Sequence, residues 1–189
     1  MSALTGNIVA LGNSITQGAG LSATQNYPAL LTASLGSAWQ VFNAGHSGET
    51  TPQLLANFAN YAQVHYTSRA VRNILVVNEV GNDLIGGASE ATARASMQAL
   101  IAHARALGWL AYFATTTPRS VPNFSAGQQT AANNINDFFR NNPSERDGFI
   151  DWAADANLSD PTNVTYYQDG VHPTAAGAVI LASLVSAAL

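Results

Sequence analysis

Short apolar runs alternate along the chain with longer segments whose apolar residues recur at helical spacing. The runs "NIVALG" (7–12), "QVFNAG" (40–45), "NILVVNEV" (73–80), "LAYFATT" (110–116) and "GFIDWAA" (148–154) predict strands. Leu54, Leu55, Phe58 and Ala62 make one apolar stripe, and Met97, Leu100, Ile101 and Ala104 make another. Each stripe predicts a helix with one face on a sheet. The closing segment "TAAGAVILASLVSAAL" is apolar over a broad face and predicts a terminal helix, with Pro173 in a first turn that does not need its N–H. Strands alternating with helices in this way predict βαβ units, a parallel sheet and a three-layer α/β/α domain. No linker, charge run or internal repeat divides the chain, so one domain is expected over residues 1–189.

In open sheets of this kind, ligands gather at the carboxyl ends of the strands, so the residues just after each strand carry the functional argument. Ser14 follows the first strand in "VALGNSITQGAG", where backbone N–H groups at the start of a helical turn favour nearby negative charge. Alone, Asn-Ser after a strand is the pattern of a turn or helix cap. The segment "DGVHP" supplies His172 with Asp169 three residues before it. That spacing lets a carboxylate reach one imidazole nitrogen while the other faces a serine, although an isolated Asp-x-x-His is equally a turn beside a helix start. Acyl transfer also needs donors for an oxyanion. Gly48 in "NAGHSGET" offers a backbone N–H without a side chain in the way, and Asn82 in "VGNDL" offers an amide.

In this combination and order, Ser14, Gly48, Asn82 and His172 resemble the serine, glycine, asparagine and histidine that name the SGNH hydrolases, also called the GDSL family. The resemblance spans nearly the whole chain and puts Asp169 at the position of the triad carboxylate. It implies a flavodoxin-like five-stranded parallel sheet of order 2-1-3-4-5. It also implies ester hydrolysis through an acyl-enzyme on Ser14, with Ser14, Gly48 and Asn82 forming the oxyanion hole. Two residues depart from the family's pattern. Asn13 stands where aspartate is usual, and Val80 stands where the third block usually begins with glycine. The aspartate's implied task is to hold the nucleophile loop by hydrogen bonds. Asn13 keeps an acceptor but gains a donor and loses the charge, so the loop is expected to survive with altered electrostatics around Ser14. Val80 bears on the backbone path to Asn82.

Composition narrows the partners. All seven cationic residues are arginine and the formal net charge is −4, which supplies no basic patch for nucleic acid. Cysteine is absent, excluding disulfides, a thiolate nucleophile and zinc–cysteine sites. The histidines at 46, 65 and 103 show no metal-ligand spacing, and the glycines near Ser14 spell no nucleotide-binding fingerprint, so neither metal nor cofactor is expected. The amino terminus lacks signal-peptide features and no run is long enough to span a membrane, so a soluble chain is expected, either cytoplasmic or exported with a leader removed. Glu79 follows an apolar run beside Asn82, where burial would require a partner such as an arginine or a backbone amide.

The expected substrate is a small-molecule or glycan ester with a short acyl group of acetyl type, because no inserted lid or long apolar segment is present for a lipid tail. Tyr166 and Tyr167, close in sequence to His172, are candidates for stacking on a sugar or aryl group. Two alternatives share these residues: an acyltransferase, in which an alcohol intercepts the acyl-enzyme, and a carbohydrate-binding module that has lost turnover.

Overall fold

The computed structural model describes residues 3–189. Five parallel strands, β1 (Leu4–Gly12), β2 (Trp39–Gly45), β3 (Ala70–Asn78), β4 (Leu110–Ala114) and β5 (Gly148–Ile150), form one sheet of order β2-β1-β3-β4-β5. Among the described residues, eight α-helices connect or follow them: α1 (Ser14–Gln17), α2 (Tyr27–Leu35), α3 (Thr51–Ala56), α4 (Phe58–Tyr61), α5 (Gly81–Ile85), α6 (Glu90–Ala106), α7 (Ala126–Asn141) and α8 (Ala175–Ala187). This is the three-layer α/β/α arrangement expected from the sequence pattern, with the strand order that the resemblance implies.

Strand alternation divides the core in two. Val9, Leu11, Leu75, Val77, Ala111 and Phe113 face one side, where Leu54, Phe58, Met97, Leu100, Ile135 and Phe139 cover them from α3, α4, α6 and α7. Ile8, Ala10, Ile74, Val76, Tyr112 and Ala114 face the other, beneath Tyr27 and Leu31 of α2 and Leu181 and Val185 of α8. Both faces of the sheet are therefore buried, which is why the strands read as continuous apolar runs rather than as apolar–polar alternation. Each fully buried leucine or valine contributes about 1.5–3 kcal/mol.

The first apolar stripe forms two short helices rather than one. The chain breaks at Asn57, which caps α3 at φ −100° and ψ 8° and begins α4. Pro173 also lies outside its helix, because Thr174 is the N-cap of α8 and accepts from Gly177 N–H. Among the described residues, no helix is long and apolar enough to cross a membrane.

Strand order sets the site. After β1 the chain moves to the β2 edge, and β3 then pairs with the opposite side of β1, so the carboxyl ends of β1 and β3 flank a switch point. Ser14 and Asn82 lie immediately beyond those two ends.

Candidate active site

The loop that carries Ser14 is built by its cap. Asn13 is the N-cap of α1, and its Oδ1 accepts from Ile15 N–H at 2.9 Å. Ser14 opens the helix, half-buried, with its hydroxyl 2.9 Å from His172 Nε2. His172 Nδ1 in turn lies 2.7 Å from Asp169 Oδ2. An ionised carboxylate only accepts, so Nδ1 carries the proton and Nε2 is left as the acceptor for the serine hydroxyl. Asp169 Oδ1 also accepts from His172 N–H at 2.8 Å and Val171 N–H at 3.0 Å. Partial burial pushes the Asp169 carboxyl up, but the hydrogen bonds from His172 and Val171 outweigh it and hold the group below the ordinary aspartate range.

A small hairpin aims His172. Tyr167 pairs with Pro173, Gln168 N–H donates to His172 O, and Thr174 N–H donates to Tyr166 O. The two tyrosines expected at the substrate are part of this hairpin. Tyr167 is buried with its hydroxyl donating to Leu158 O at 2.7 Å, and Tyr166 packs against the same core. Neither lines the cleft around Ser14. Their place beside the histidine reflects loop architecture, since an aromatic body with a satisfied hydroxyl is as suited to a core as to a ligand.

The other two junctions converge on Ser14. Gly48 has φ +80°, which favours glycine, and its loop is tied to α1 by Ser47 N–H donating to Gln17 Oε1 at 3.0 Å. Asn82 Nδ2 donates to Glu49 O at 2.9 Å, which orients the amide and leaves its second N–H uncommitted. Ser14, Gly48, Asn82, Val171, His172 and Arg119 line one cleft of about 420 Å³. An apolar groove of about 500 Å³ against α2 and α8 offers only serine hydroxyls and no acid–base partner for them.

Both departures from the family pattern have a structural account. Val80 takes φ 170°, outside the left-handed region, so its path to Asn82 does not call for glycine. Asn13 is paired with Glu79. Because Ile15 N–H occupies Asn13 Oδ1, Nδ2 faces the buried Glu79 and donates to its Oε2, while Glu79 Oε1 accepts from Asn82 N–H at 2.6 Å. The carboxyl group missing at position 13 is thus supplied from position 79, where it joins the Ser14 loop to the Asn82 loop. Burial pushes the Glu79 carboxyl up to about 7, against the opposing pull of Arg119 and of the two N–H donors.

This pairing makes a reciprocal prediction. Asn13→Asp sets two carboxylates against each other and Glu79→Gln leaves donors facing donors, so each is expected to cost about 1–3 kcal/mol. The double change reverses the pair and is expected to recover most of that loss. Strictly additive losses in urea unfolding would contradict the pairing. Glu79 also carries a pH signature. A raised carboxyl contributes stability that is present below the ordinary glutamate value of 4.5 and lost as pH rises through about 7. Glu79→Gln is expected to remove that decline, which amounts to about 3 kcal/mol.

Among the described residues, no group of three or more histidine, aspartate or glutamate side chains is placed to hold a metal. His46 instead stacks on Tyr61, whose hydroxyl donates to Glu49 Oε1. The sequence reading passed over Arg119, although it is the lone charged residue between Arg105 and Asp137.

The profile of the GDSL-like lipase/acylhydrolase family matches residues 10–180, and the chain belongs to that family. It is accordingly a carboxylic ester hydrolase. A member of the lipolytic protein G-D-S-L family from Veillonella parvula DSM 2008 superposes with a TM-score of 0.80 at 17% identity, covering 96% of this chain and 97% of its own. An acetyl xylan esterase, AlAXEase, gives 0.77 at 16% identity, covering 96% and 98%. The M. smegmatis aryl esterase gives 0.75 at 14% identity, covering 97% and 99%. No curated protein matches the chain in sequence.

Proposed function

We propose that the protein is a serine esterase that hydrolyses short acyl esters of acetyl type, including those of carbohydrates, through an acyl-enzyme on Ser14. The observation that carries this reading is the hydrogen-bonded chain from Ser14 Oγ through His172 to Asp169, opening on a cleft of about 420 Å³. His172 Nε2 takes the hydroxyl proton as Ser14 Oγ bonds to the ester carbon, and Asp169 holds the imidazolium through Nδ1–H. The N–H groups of Ser14 and Gly48 and the free N–H of Asn82 receive the oxyanion. His172 then passes its proton to the departing alcohol oxygen as the carbon–oxygen bond breaks. Water, deprotonated by the same nitrogen, attacks the acyl-enzyme, and Ser14 Oγ leaves with the proton.

The cleft suits a small acyl group, because its volume of about 420 Å³ has to hold the alcohol part of the ester as well, with Ala19, Ile85 and Val171 as apolar lining. Likeness to an acetyl xylan esterase and an aryl esterase agrees with this choice. A series of para-nitrophenyl esters tests it. kcat/KM is expected to be highest for acetate or propionate and to fall at least about tenfold by octanoate, since a chain longer than the pocket overcrowds it and displaces the ester from Ser14. Faster hydrolysis of octanoate or palmitate than of acetate would overturn the acyl assignment.

A further inference from the structure

Arg119 is the charged residue of the cleft to which the reaction above gives no task. It is only 6% exposed, yet its Nε is buried without a hydrogen-bond partner. Among the described residues no acceptor lies within hydrogen-bond or ion-pair reach of its guanidinium. The group is nevertheless held in place. It sits 5.1 Å from the Phe124 ring centroid, and its backbone N–H donates to Gln129 Oε1 at 3.0 Å. Gly81 makes the room, because a Cβ there would stand 2.0 Å from Nη2 and push the guanidinium away from the wall that also carries Asn82.

A counter-ion role does not explain this arrangement. Buried arginine–carboxylate pairs form paired N–H···O bonds. Glu79, the carboxylate that acts on Arg119, has both oxygens occupied by Asn13 and Asn82 and reaches the guanidinium only through space. Tyr167, the other titratable group that acts on it, has a buried hydroxyl donating to Leu158 O. An Nε–H kept out of water with no protein acceptor, on a guanidinium in the wall of a substrate cleft, has its use in a ligand.

We propose that Arg119 recognises an anionic oxygen group on the substrate, so that the alcohol part of the ester cleaved at Ser14 carries a carboxylate or a phosphate. The inference rests on the short-acyl reading and extends it: an acetyl group has no position for a charge, which assigns the anion to the alcohol side. A guanidinium fork matches the paired oxygens of either group.

The test compares meta-carboxyphenyl acetate with meta-carbamoylphenyl acetate, two esters of nearly equal shape that differ in charge. The carboxylate is expected to be preferred by about tenfold to a hundredfold in kcat/KM, the range of a charge-assisted hydrogen bond. Arg119→Gln is expected to bring that ratio close to one, and Arg119→Lys to keep part of it. Because the ratio is taken within each variant, a general loss of activity does not mimic the result. Equal turnover of the two esters by the native chain would overturn the anion assignment and leave the esterase reading standing. If neither acetate is turned over, the short-acyl reading fails, and the anion assignment is then read from protection of Ser14 against a fluorophosphonate. Benzoate or phenyl phosphate protecting better than benzamide supports it, with the stronger protector naming the anion. Equal protection by all three overturns it.

Discussion

Replacing Ser14 or His172 by alanine is expected to lower kcat for an acetyl ester by about 10⁴–10⁶-fold, and replacing both is expected to cost no more than the worse single change. The two residues act as one unit. Without His172 the Ser14 hydroxyl keeps its proton, and without Ser14 the imidazole has nothing to deprotonate except water. Asp169→Asn separates the third member. Its Oδ1 can still accept from His172 N–H and Val171 N–H, but an amide NH₂ then faces His172 Nδ1 and forces the imidazole proton onto Nε2. The base is then blocked on the side that faces Ser14, and a loss of about 10³–10⁴-fold is expected with little change in thermal stability. Losses that multiply in the Ser14→Ala/His172→Ala double variant would mean that the residues act independently, against the proton-transfer chain.

The second large effect is expected at Asn82. In the proposed mechanism Asn82→Ala removes one of the three oxyanion donors, and it is expected to lower kcat by about 10²–10³-fold, or about 2.7–4 kcal/mol of barrier. KM should change little, because a ground-state carbonyl draws less on the donor than the oxyanion does. The backbone N–H of Asn82 remains on Glu79 in this variant, so the loop keeps its anchor. Asn82→Asp tests the sign of the field, since a carboxylate of the same shape places negative charge where negative charge must form. It is expected to be slower than the alanine variant. A change confined to KM would show that Asn82 binds the substrate without stabilising the transition state.

Much of this site was legible because its members follow strands. β1, β2 and β3 are apolar runs with sharp ends, and the residues after them, Ser14, Gly48 and Asn82, meet wherever those three strands are neighbours. The Asp169–His172 pair was legible because three residues separate its members and one turn can close it. What escaped was long-range pairing. Asn13 and Glu79 are 66 residues apart, and nothing local in either segment records that one side chain's donor meets the other's carboxyl. Read locally, Asn13 was a lost charge; in the fold it is half of a pair. The tyrosines failed for the complementary reason. Proximity to His172 along the chain does not bring these rings to the cleft, because Tyr167 is buried with its hydroxyl on Leu158 O and Tyr166 packs on the same core. Arg119 was missed because burial decides its meaning, and the segment between β4 and α7 gives no sign in its sequence that the side chain turns inward.

The most direct test of the central claim is intact-mass analysis after exposure to a fluorophosphonate, comparing the native chain with Ser14→Ala and His172→Ala. The reagent loses fluoride to an activated serine and leaves a stable phosphonyl ester. The account predicts a single adduct on the native chain, none on Ser14→Ala, and labelling of His172→Ala slowed by at least about a hundredfold, in keeping with general-base catalysis. A folded native chain that takes up no adduct, or an adduct that persists in Ser14→Ala, would contradict it.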